Sequence, residues 1–471
     1  MKIKDEKYCK IYFYIHIFQF SIFNFQFKHM TTHKKKVGLV SLGCDKNRVD
    51  GEKLLYEVAK HYDITSSIED ANVLIVNTCA FLGSARKEAI NTVFEYLPYK
   101  QDGNLEKIIM TGCLPQKFVA DMFDDFTEVD AFLGTKDGSL ITQAIDEVYK
   151  GKRLNLVGKG KELGCSRIVT TPGHFAYLKI SDGCNNHCTY CLIPKIRGKF
   201  VSRPIESLVE EAKGLGEVEE LILVAQDTTR YGEDLYGEIR LVELIRALSA
   251  LETVKHIRLM YCYPELIDDK LIAEIRDNEK VIKYLDIPLQ HASDRILKLM
   301  NRKGSYASYV ALVNKLKEEI PSLVIRSTFI AGFPTETEED VITLENFLRE
   351  AKLMNAGFFA YSREKDTPAY KIEGQIKESV KKQRVKRLYA VQQAIVEEIT
   401  SSLVGKTFDV VCDGLDYDKQ LFYGRAYFNA PDIDGKVYLR SDGVINEGET
   451  YKVKIISATS YDLYGEIENE T

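Results

Sequence analysis

"FAYLKISDGCNNHCTYCLIPKIRGKF", residues 175–200, begins as a short apolar run and breaks into a loop with three cysteines in eight positions, Cys184, Cys188 and Cys191. Their i, i+4, i+7 spacing is also that of one helix face. Gly183 and the Asn185-Asn186 pair are poor helix interior, which favours the loop. Zinc is a further alternative with His187 as fourth ligand, but His187 adjoins Cys188, and tetrahedral geometry is awkward for both. Three thiolates suit an iron-sulfur cluster, which ordinarily takes four cysteines. Three leave one iron open to a small molecule, into which a redox-active cluster can pass an electron.

Downstream the same rhythm repeats. "EELILVAQD" (219–227), "HIRLMYC" (256–262), "YLDIPLQ" (284–290), "LVIRSTFIAGF" (323–333) and "AGFFAYS" (356–362) are strand-like runs. Helical segments such as "SLVEEAKGL" and "SYASYVALVNKLKEE" lie between them. Six βα units predict an incomplete version of the eight-unit barrel, open along one side, with the polar strand ends on its catalytic rim. The segment 375–403 reads as a closing helix. From about Gly405 short alternating runs, "TFDVVCDG", "QLFYGRAYF" and "KVYLRS" among them, predict a small antiparallel β-barrel.

Upstream, from Lys36 to about Lys150, "VGLVSLGC", "ANVLIVNTC" and "EKIIMTGC" alternate with amphipathic segments. This βαβαβ pattern predicts a parallel sheet with helices on its faces. Cys44, Cys79 and Cys113 each follow an apolar run, about one βα unit apart. That is the edge where open parallel sheets bind ligands, and neighbouring strands about 4.8 Å apart can aim three thiolates at one object. The alternative is three small buried hydrophobes.

With 471 residues and ten cysteines, the chain has room for about three domains and lacks the dense cysteine framework of a small secreted scaffold. A reducing compartment, the cytoplasm, fits better. The net charge of −6 gives no sign of a nucleic-acid partner. Residues 1–33 read as an extension, with Met30 a more natural start. Its apolar run is interrupted by His16, Gln19, Ser21, Asn24 and Gln26, so neither export nor a membrane span is expected.

Taken together, "VSLGCDKNRVDGE", "VNTCAF", "TGCLPQ", "GCNNHCTYCLIPKIRGK", "LVAQDTTRYG", "RLMYCYPE", "YLDIPLQHASDRILKLMNR" and "TFIAGFPTETEED" resemble the methylthiotransferase family of radical S-adenosylmethionine (SAM) enzymes. The resemblance runs from about residue 36 to the end. It implies an α/β amino-terminal domain (34–150), a linker (151–169), a radical SAM core with an incomplete (βα)6 barrel (170–402) and a TRAM β-barrel (403–471). It also implies two [4Fe-4S] clusters: Cys184, Cys188 and Cys191 would hold the radical-generating one, Cys44, Cys79 and Cys113 an auxiliary one. SAM would serve as radical source and methyl donor, and a reductant such as flavodoxin or ferredoxin would supply electrons. Gln226, Asp227, His291 and Gly332, at strand ends, are candidates for the vicinity of SAM. Asp227 as a helix cap and His291 as a core histidine are the alternatives. Lys195 and Arg197 could neutralise a carboxylate or form a solvated basic loop. Cys9, Cys165, Cys262 and Cys412 read as ordinary thiols.

The wording "GCDKNRVD", "IPKIRGK" and "APDIDG" resembles the branch of the family that methylthiolates the β-carbon of an aspartate of ribosomal protein S twelve. Related enzymes act on a transfer-RNA adenosine. Between Lys406 and Thr471 stand 13 acidic and 7 basic residues, a sign that disfavours RNA and suits a basic protein partner, met by Asp432 and Asp434 among others. No direct nucleic-acid readout is expected. A non-catalytic iron-sulfur carrier is the remaining alternative; it needs no open barrel rim.

Overall fold

The computed structural model describes residues 35–441 and 443–468, so the reading of residues 1–33 falls outside the described residues. The chain divides at Thr170 into two units.

In the first, β1 (Lys36–Ser41), α1 (Asp45–Ala59), β2 (Asp63–Ile64), β3 (Val73–Thr78), α2 (Gly83–Asp102), β4 (Lys107–Gly112), α3 (Cys113–Met122), β5 (Ala131–Phe132), α4 (Ile141–Tyr149) and β6 (Leu154–Asn155) follow in order. The strands form one sheet, β2-β1-β3-β4-β5-β6, parallel throughout. β3, "VLIVNT", is buried at every position, as a central strand covered on both faces must be. The stretch read as a linker is bound into this unit. β6 extends the sheet, Gly158 N and Gly160 N donate to Asp137 at 2.8 and 2.7 Å, and Thr170 N and Oγ1 donate to the buried Glu52 at 2.8 Å.

The second unit opens with β7 (Phe175–Lys179), β8 (Ser181–Asp182), α5 (Ile193–Ile196), β9 (Val201–Ser202) and α6 (Ile205–Gly214). There follow β10 (Val218–Val224), α7 (Glu233–Tyr236), α8 (Leu241–Ser249), β11 (Val254–Leu259), α9 (Asp269–Asp277) and β12 (Val281–Asp286). The series ends with α10 (Asp294–Leu299), α11 (Tyr306–Glu319), β13 (Val324–Ala331), α12 (Glu338–Ala351), β14 (Asn355–Ala360) and α13 (Glu378–Ser401). Six parallel strands, ordered β14-β13-β12-β11-β10-β7, make the incomplete barrel the sequence predicts. Strand alternation sorts its two faces. Leu178, Leu221, Leu223, Ile257, Leu259, Leu285 and Phe329 join the apolar core. The intervening Lys179, Glu220, Arg258 and Asp286 are equally buried but charged.

Lys179 and Asp286 find partners within the half-barrel, Asp182 and Arg326, whereas Glu220 and Arg258 are met by the carboxy-terminal barrel: β15 (Thr407–Asp416), β16 (Leu421–Arg425), β17 (Val437–Arg440), β18 (Thr450–Ala458) and β19 (Leu463–Ile467). It closes in the order β15-β16-β17-β19-β18, antiparallel except for the parallel β17–β19 seam. Arg425 donates to Glu220 at 2.6 Å and to Asp413 at 2.7 Å, and Asp413 meets His174 at 2.7 Å. Arg258 pairs with Glu220 and donates to the Tyr427 carbonyl at 2.9 Å. Tyr284 donates to Asp434 at 2.6 Å, and Arg326 approaches the same carboxylate at 3.4 Å. Asp434 therefore does not face a partner, contrary to the expectation from charge alone. It is an anchor buried against the half-barrel, and burial raises its carboxyl above the ordinary range. Asp432 is exposed.

Candidate metal centres

The first triad is set by register. Cys44 caps the start of α1, Cys79 directly follows β3 and Cys113 is the first residue of α3, so they mark the carboxyl ends of the adjacent strands β1, β3 and β4. Gly43, at φ +90°, lies so close to Cys79 that an added Cβ would stand 2.5 Å from the Cys79 Cβ and 3.1 Å from its Sγ. Only glycine permits that approach. Two buried asparagines fix the turn: Asn47 donates to the Leu42 carbonyl at 2.8 Å, and Asn77 donates to the Asn47 carbonyl at 2.6 Å. Thr78 donates to the Thr111 carbonyl at 2.7 Å and accepts from Leu114 N at 3.3 Å, locking the Cys79 and Cys113 ends together.

The second triad rides on one loop. Gly183, at φ +79°, packs so tightly that a Cβ would fall 2.1 Å from the Lys199 carbonyl oxygen. Cys184 N donates to the Gly198 carbonyl at 3.2 Å and Cys191 N to the Cys188 carbonyl at 3.1 Å. Backbone N–H groups of Asn186 and Ile193 point at the sulfurs of Cys184 and Cys191 at 3.5 and 3.4 Å. Burial, reinforced by the neighbouring Cys188, pushes both of these thiols up. Their deprotonation thus falls to the iron they would bind, since a coordinated thiol loses its proton outright. Among the described residues no three Cys, His, Asp or Glu side chains converge on one ion. A cluster does not require it, because it engages each thiolate through a different iron.

The strand-end candidates split into those whose polar atoms are fully bonded and those that leave one without a partner. Asp227, 1% exposed, does not act as a side-chain helix cap. It accepts from Asn186 at 2.8 Å, Thr229 at 2.8 Å and Arg230 at 3.3 Å, and Arg230 in turn donates to Asn186 at 3.1 Å. Asp227 thus braces the cysteine loop midway between Cys184 and Cys188. Gln226 donates to Asp182 at 2.9 Å and leaves its Oε1 buried without a partner. His291 accepts from Ser293 N at its Nδ1, 2.9 Å, so its proton sits on Nε2. That nitrogen lies 3.4 Å from Glu336 without making a hydrogen bond. Gly332 N donates to Glu336 at 2.9 Å, and Arg384 donates to Glu336 at 2.8 Å, which fixes the Gly332-Phe333-Pro334 turn. Two orphaned buried polar atoms at the rim, Gln226 Oε1 and His291 Nε2, are what a site for a polar small molecule provides. Arg197 is no solvated loop residue: it is buried and donates at 3.1 Å to Asp182, which Lys179 also meets at 3.2 Å. Burial opposes ionisation of Asp182, but Lys179 and Arg197 prevail and hold it well below the usual carboxylate range. Lys195 is exposed. Cys262 and Cys412 are core thiols.

Family models agree with this division. Residues 36–134 match an uncharacterised protein family, UPF0004, residues 178–348 the radical SAM superfamily, and residues 404–467 the TRAM domain. A ribosomal protein uS12 methylthiotransferase RimO of Clostridium botulinum is 47% identical over 93% of this chain and 99% of its own length. The chain belongs to the RimO family. A second relative of that name, from Lachnoclostridium phytofermentans, is 44% identical over 92% of this chain and all of its own. Among solved structures, the radical SAM methyltransferase TsrM of Kitasatospora setae aligns with a TM-score of 0.52 at 12% identity, over 71% of this chain and 77% of its own. That likeness extends to the fold alone. As a RimO-family enzyme, the chain is a transferase that uses SAM and two [4Fe-4S] clusters.

Sequence reasoning missed Asn186, Arg230 and Glu336, which hold the site rather than face it. All three stand inside the motifs that carry the family resemblance, but only the fold shows that Asn186 and Arg230 meet at Asp227 and that Glu336 holds the Gly332 turn.

Proposed function

We infer that this chain inserts sulfur at the β-carbon of an aspartate of ribosomal protein uS12 and methylates it, giving 3-methylthioaspartate. The observation that carries this reading is the pairing, in one RimO-family chain, of two cysteine triads each presented at the carboxyl ends of parallel strands. Cys184, Cys188 and Cys191 would hold the radical-generating cluster, and Cys44, Cys79 and Cys113 the auxiliary one. Three ligands in each leave one iron open. When bound, these groups and SAM supply one-electron cleavage of SAM, the sulfur to be inserted and the methyl group.

The chain's own residues bind and orient. Asp227 and Asn186 hold the radical loop, Gln226 Oε1 and His291 Nε2 present one acceptor and one donor to SAM, and Glu336 sets the Gly332 turn beside them. The buried inner face excludes water, which protects a hydrogen abstraction from quenching. The open side of the half-barrel admits the protein substrate, and the exposed acids of the carboxy-terminal barrel, Asp432 among them, favour its basic surface over RNA. A low-potential reductant such as flavodoxin or ferredoxin supplies electrons. The site of action is the cytoplasm, where the ribosomal substrate is made; no helix among the described residues is long and apolar enough to cross a membrane.

Peptide mass spectrometry of uS12 from cells with and without the gene tests the reading. A methylthio mass on one aspartate that disappears with the gene is expected. Unchanged uS12, with methylthioadenosine lost from transfer RNA, would move the chain to the RNA-modifying branch.

A further inference from the structure

Arg302 is 7% exposed, yet no carboxylate pairs with it among the described residues. Its Nη2 donates to the Pro288 carbonyl at 2.7 Å, its guanidinium lies 4.1 Å from the centroid of the Tyr263 ring, and its Nε is buried without a hydrogen-bond partner. The ionisable groups that act on it most strongly are Tyr190, Tyr309, Cys188 and Tyr263, and no carboxylate is among them. Other buried arginines in the same unit are compensated: Arg258 and Arg425 by Glu220, Arg197 by Asp182. Breaking such compensation leaves a buried charge at high cost, so an unpaired buried guanidinium calls for an anion.

The backbone shows where that anion belongs. The turn Met300-Asn301-Arg302 after α10 is stitched to the cysteine loop on both sides of Cys188. Thr189 N donates to the Met300 carbonyl at 3.0 Å, Thr189 Oγ1 to the Leu299 carbonyl at 2.8 Å, and Asn301 Nδ2 to the His187 carbonyl at 3.1 Å. Asn301 takes φ +58°, a left-handed conformation that reverses the chain and places Arg302 after it. Tyr190 packs into the adjoining apolar cluster with Met300 and Phe333, which dries this side of the loop.

We propose that Arg302 is the counter-cation of the iron-sulfur cluster held by Cys184, Cys188 and Cys191, and that it raises the cluster's reduction potential. The inference rests on the assignment of those cysteines made above. In the step concerned, the cluster gains one electron from a low-potential one-electron donor, which is oxidised by one electron. No bond breaks, and the cluster becomes more negative by one charge. A fixed cation in a dry site favours the more negative state. The sequence holds Arg302 in "LKLMNR", where nothing in the spacing links it to the cysteines.

The test is an anaerobic potentiometric titration of the reconstituted full chain, followed by electron paramagnetic resonance. The radical cluster's signal is assigned by its loss in Cys188→Ala, and the auxiliary cluster of the same molecule is the internal standard. Arg302→Met should lower the ratio of reduced to oxidised radical cluster about tenfold at fixed potential, a 59 mV shift for one electron. Arg302→Lys should shift it less, and the auxiliary midpoint should stay in place. If Arg302→Met does not retain iron, Arg302→Gln against Arg302→Lys carries the comparison, with a lower midpoint for the glutamine variant expected. Equal midpoints with the cluster in place overturn the inference alone. So does an unchanged midpoint with weakened SAM binding, which would give the guanidinium to the SAM carboxylate. Absence of any reducible cluster from the unsubstituted chain would overturn the cysteine assignment and this inference together.

Discussion

Cys184, Cys188 and Cys191 are neighbours in sequence, whereas Cys44, Cys79 and Cys113 become neighbours only through the register of β1, β3 and β4. The contiguous triad owes its shape to side chains reaching in from other strands, Asp227 above all. The dispersed triad owes its shape to backbone fit, with Gly43 pressed on Cys79 and asparagines bonded to carbonyls. Their surroundings differ too. The central strand of the dispersed site, β3, is buried at every position and apolar over Val73–Val76, while the half-barrel that carries the contiguous one has buried ions on its inner face. The same set of three cysteines can thus be assembled by local loop chemistry on an ionic scaffold or by long-range packing on an apolar one, and the two should fail in different ways.

The largest expected effect separates the two directly. Cys188→Ala should remove one cluster and abolish 5′-deoxyadenosine formation, a loss of at least about a thousandfold, as expected when a group that carries the chemistry is removed. Cys79→Ala should remove the other cluster, halve the iron in the same way, and leave deoxyadenosine forming while no methylthio product appears. Iron content, nucleoside chromatography and product mass read all three. If Cys79→Ala stopped SAM cleavage as completely as Cys188→Ala, the division of labour between the triads would be wrong.

Acid should discriminate next. Burial raises the Glu220 carboxyl, but Arg258 and Arg425 overcome it and bring it from 4.5 to about 2. A folded value below the unfolded one means stability that is complete above about pH 4.5 and is lost as pH falls towards 2. At 1.36 kcal/mol per pH unit this is roughly 3 kcal/mol, lodged in the junction between the half-barrel and the TRAM barrel. In the first unit the strongly lowered carboxyl, Glu147, is half-buried at the surface and pairs with the exposed Lys150 and Lys152, contacts of a kind worth little. Proteolysis or hydrogen exchange along an acid titration should therefore open the second unit first, and Glu220→Gln should erase much of that dependence. Simultaneous opening of both units with Glu220→Gln unaffected would remove the contrast in scaffolds.

How much of this was legible before folding follows from the same contrast. The apolar runs and their polar ends disclose the parallel sheets, because a covered strand must be apolar and a loop must turn. The contiguous triad can be read off directly. The dispersed one is visible as a recurring position after each run, but its convergence depends on which strands are adjacent. Buried charges escape sequence reading altogether: Glu220 and Arg258 sit in apolar strand patterns as if they faced water, and the fold pairs them with each other and with Arg425 and the Tyr427 carbonyl of the TRAM barrel. Asp434 misled for the same reason, since a count of charges does not tell an anchor from a surface group.

Backbone fit offers a more delicate probe. Gly43→Ala demands a left-handed alanine whose Cβ would overlap Cys79, a strain of roughly 2 kcal/mol for φ and packing together. Iron should fall at the auxiliary site alone, with deoxyadenosine formation retained. Gly183→Ala meets a backbone oxygen rather than a side chain and should disturb the radical site instead. Loss of the radical cluster in Gly43→Ala would show that the two loops do not respond separately.

The smallest effect concerns the brace. Asp227→Asn keeps the shape of the side chain but removes the negative charge that Arg230 and Asn186 share, so one amide must turn or lose its bond. Outer partners of metal sites typically change affinity or activity by 10–100-fold, and an isosteric replacement belongs at the lower end, about tenfold. The loss should fall on radical-cluster occupancy and on deoxyadenosine formation, and leave the auxiliary cluster full. If iron stays complete at both sites while the apparent SAM affinity drops, Asp227 faces SAM rather than bracing the loop. The contiguous triad would then owe its shape to its own backbone, as the dispersed one does.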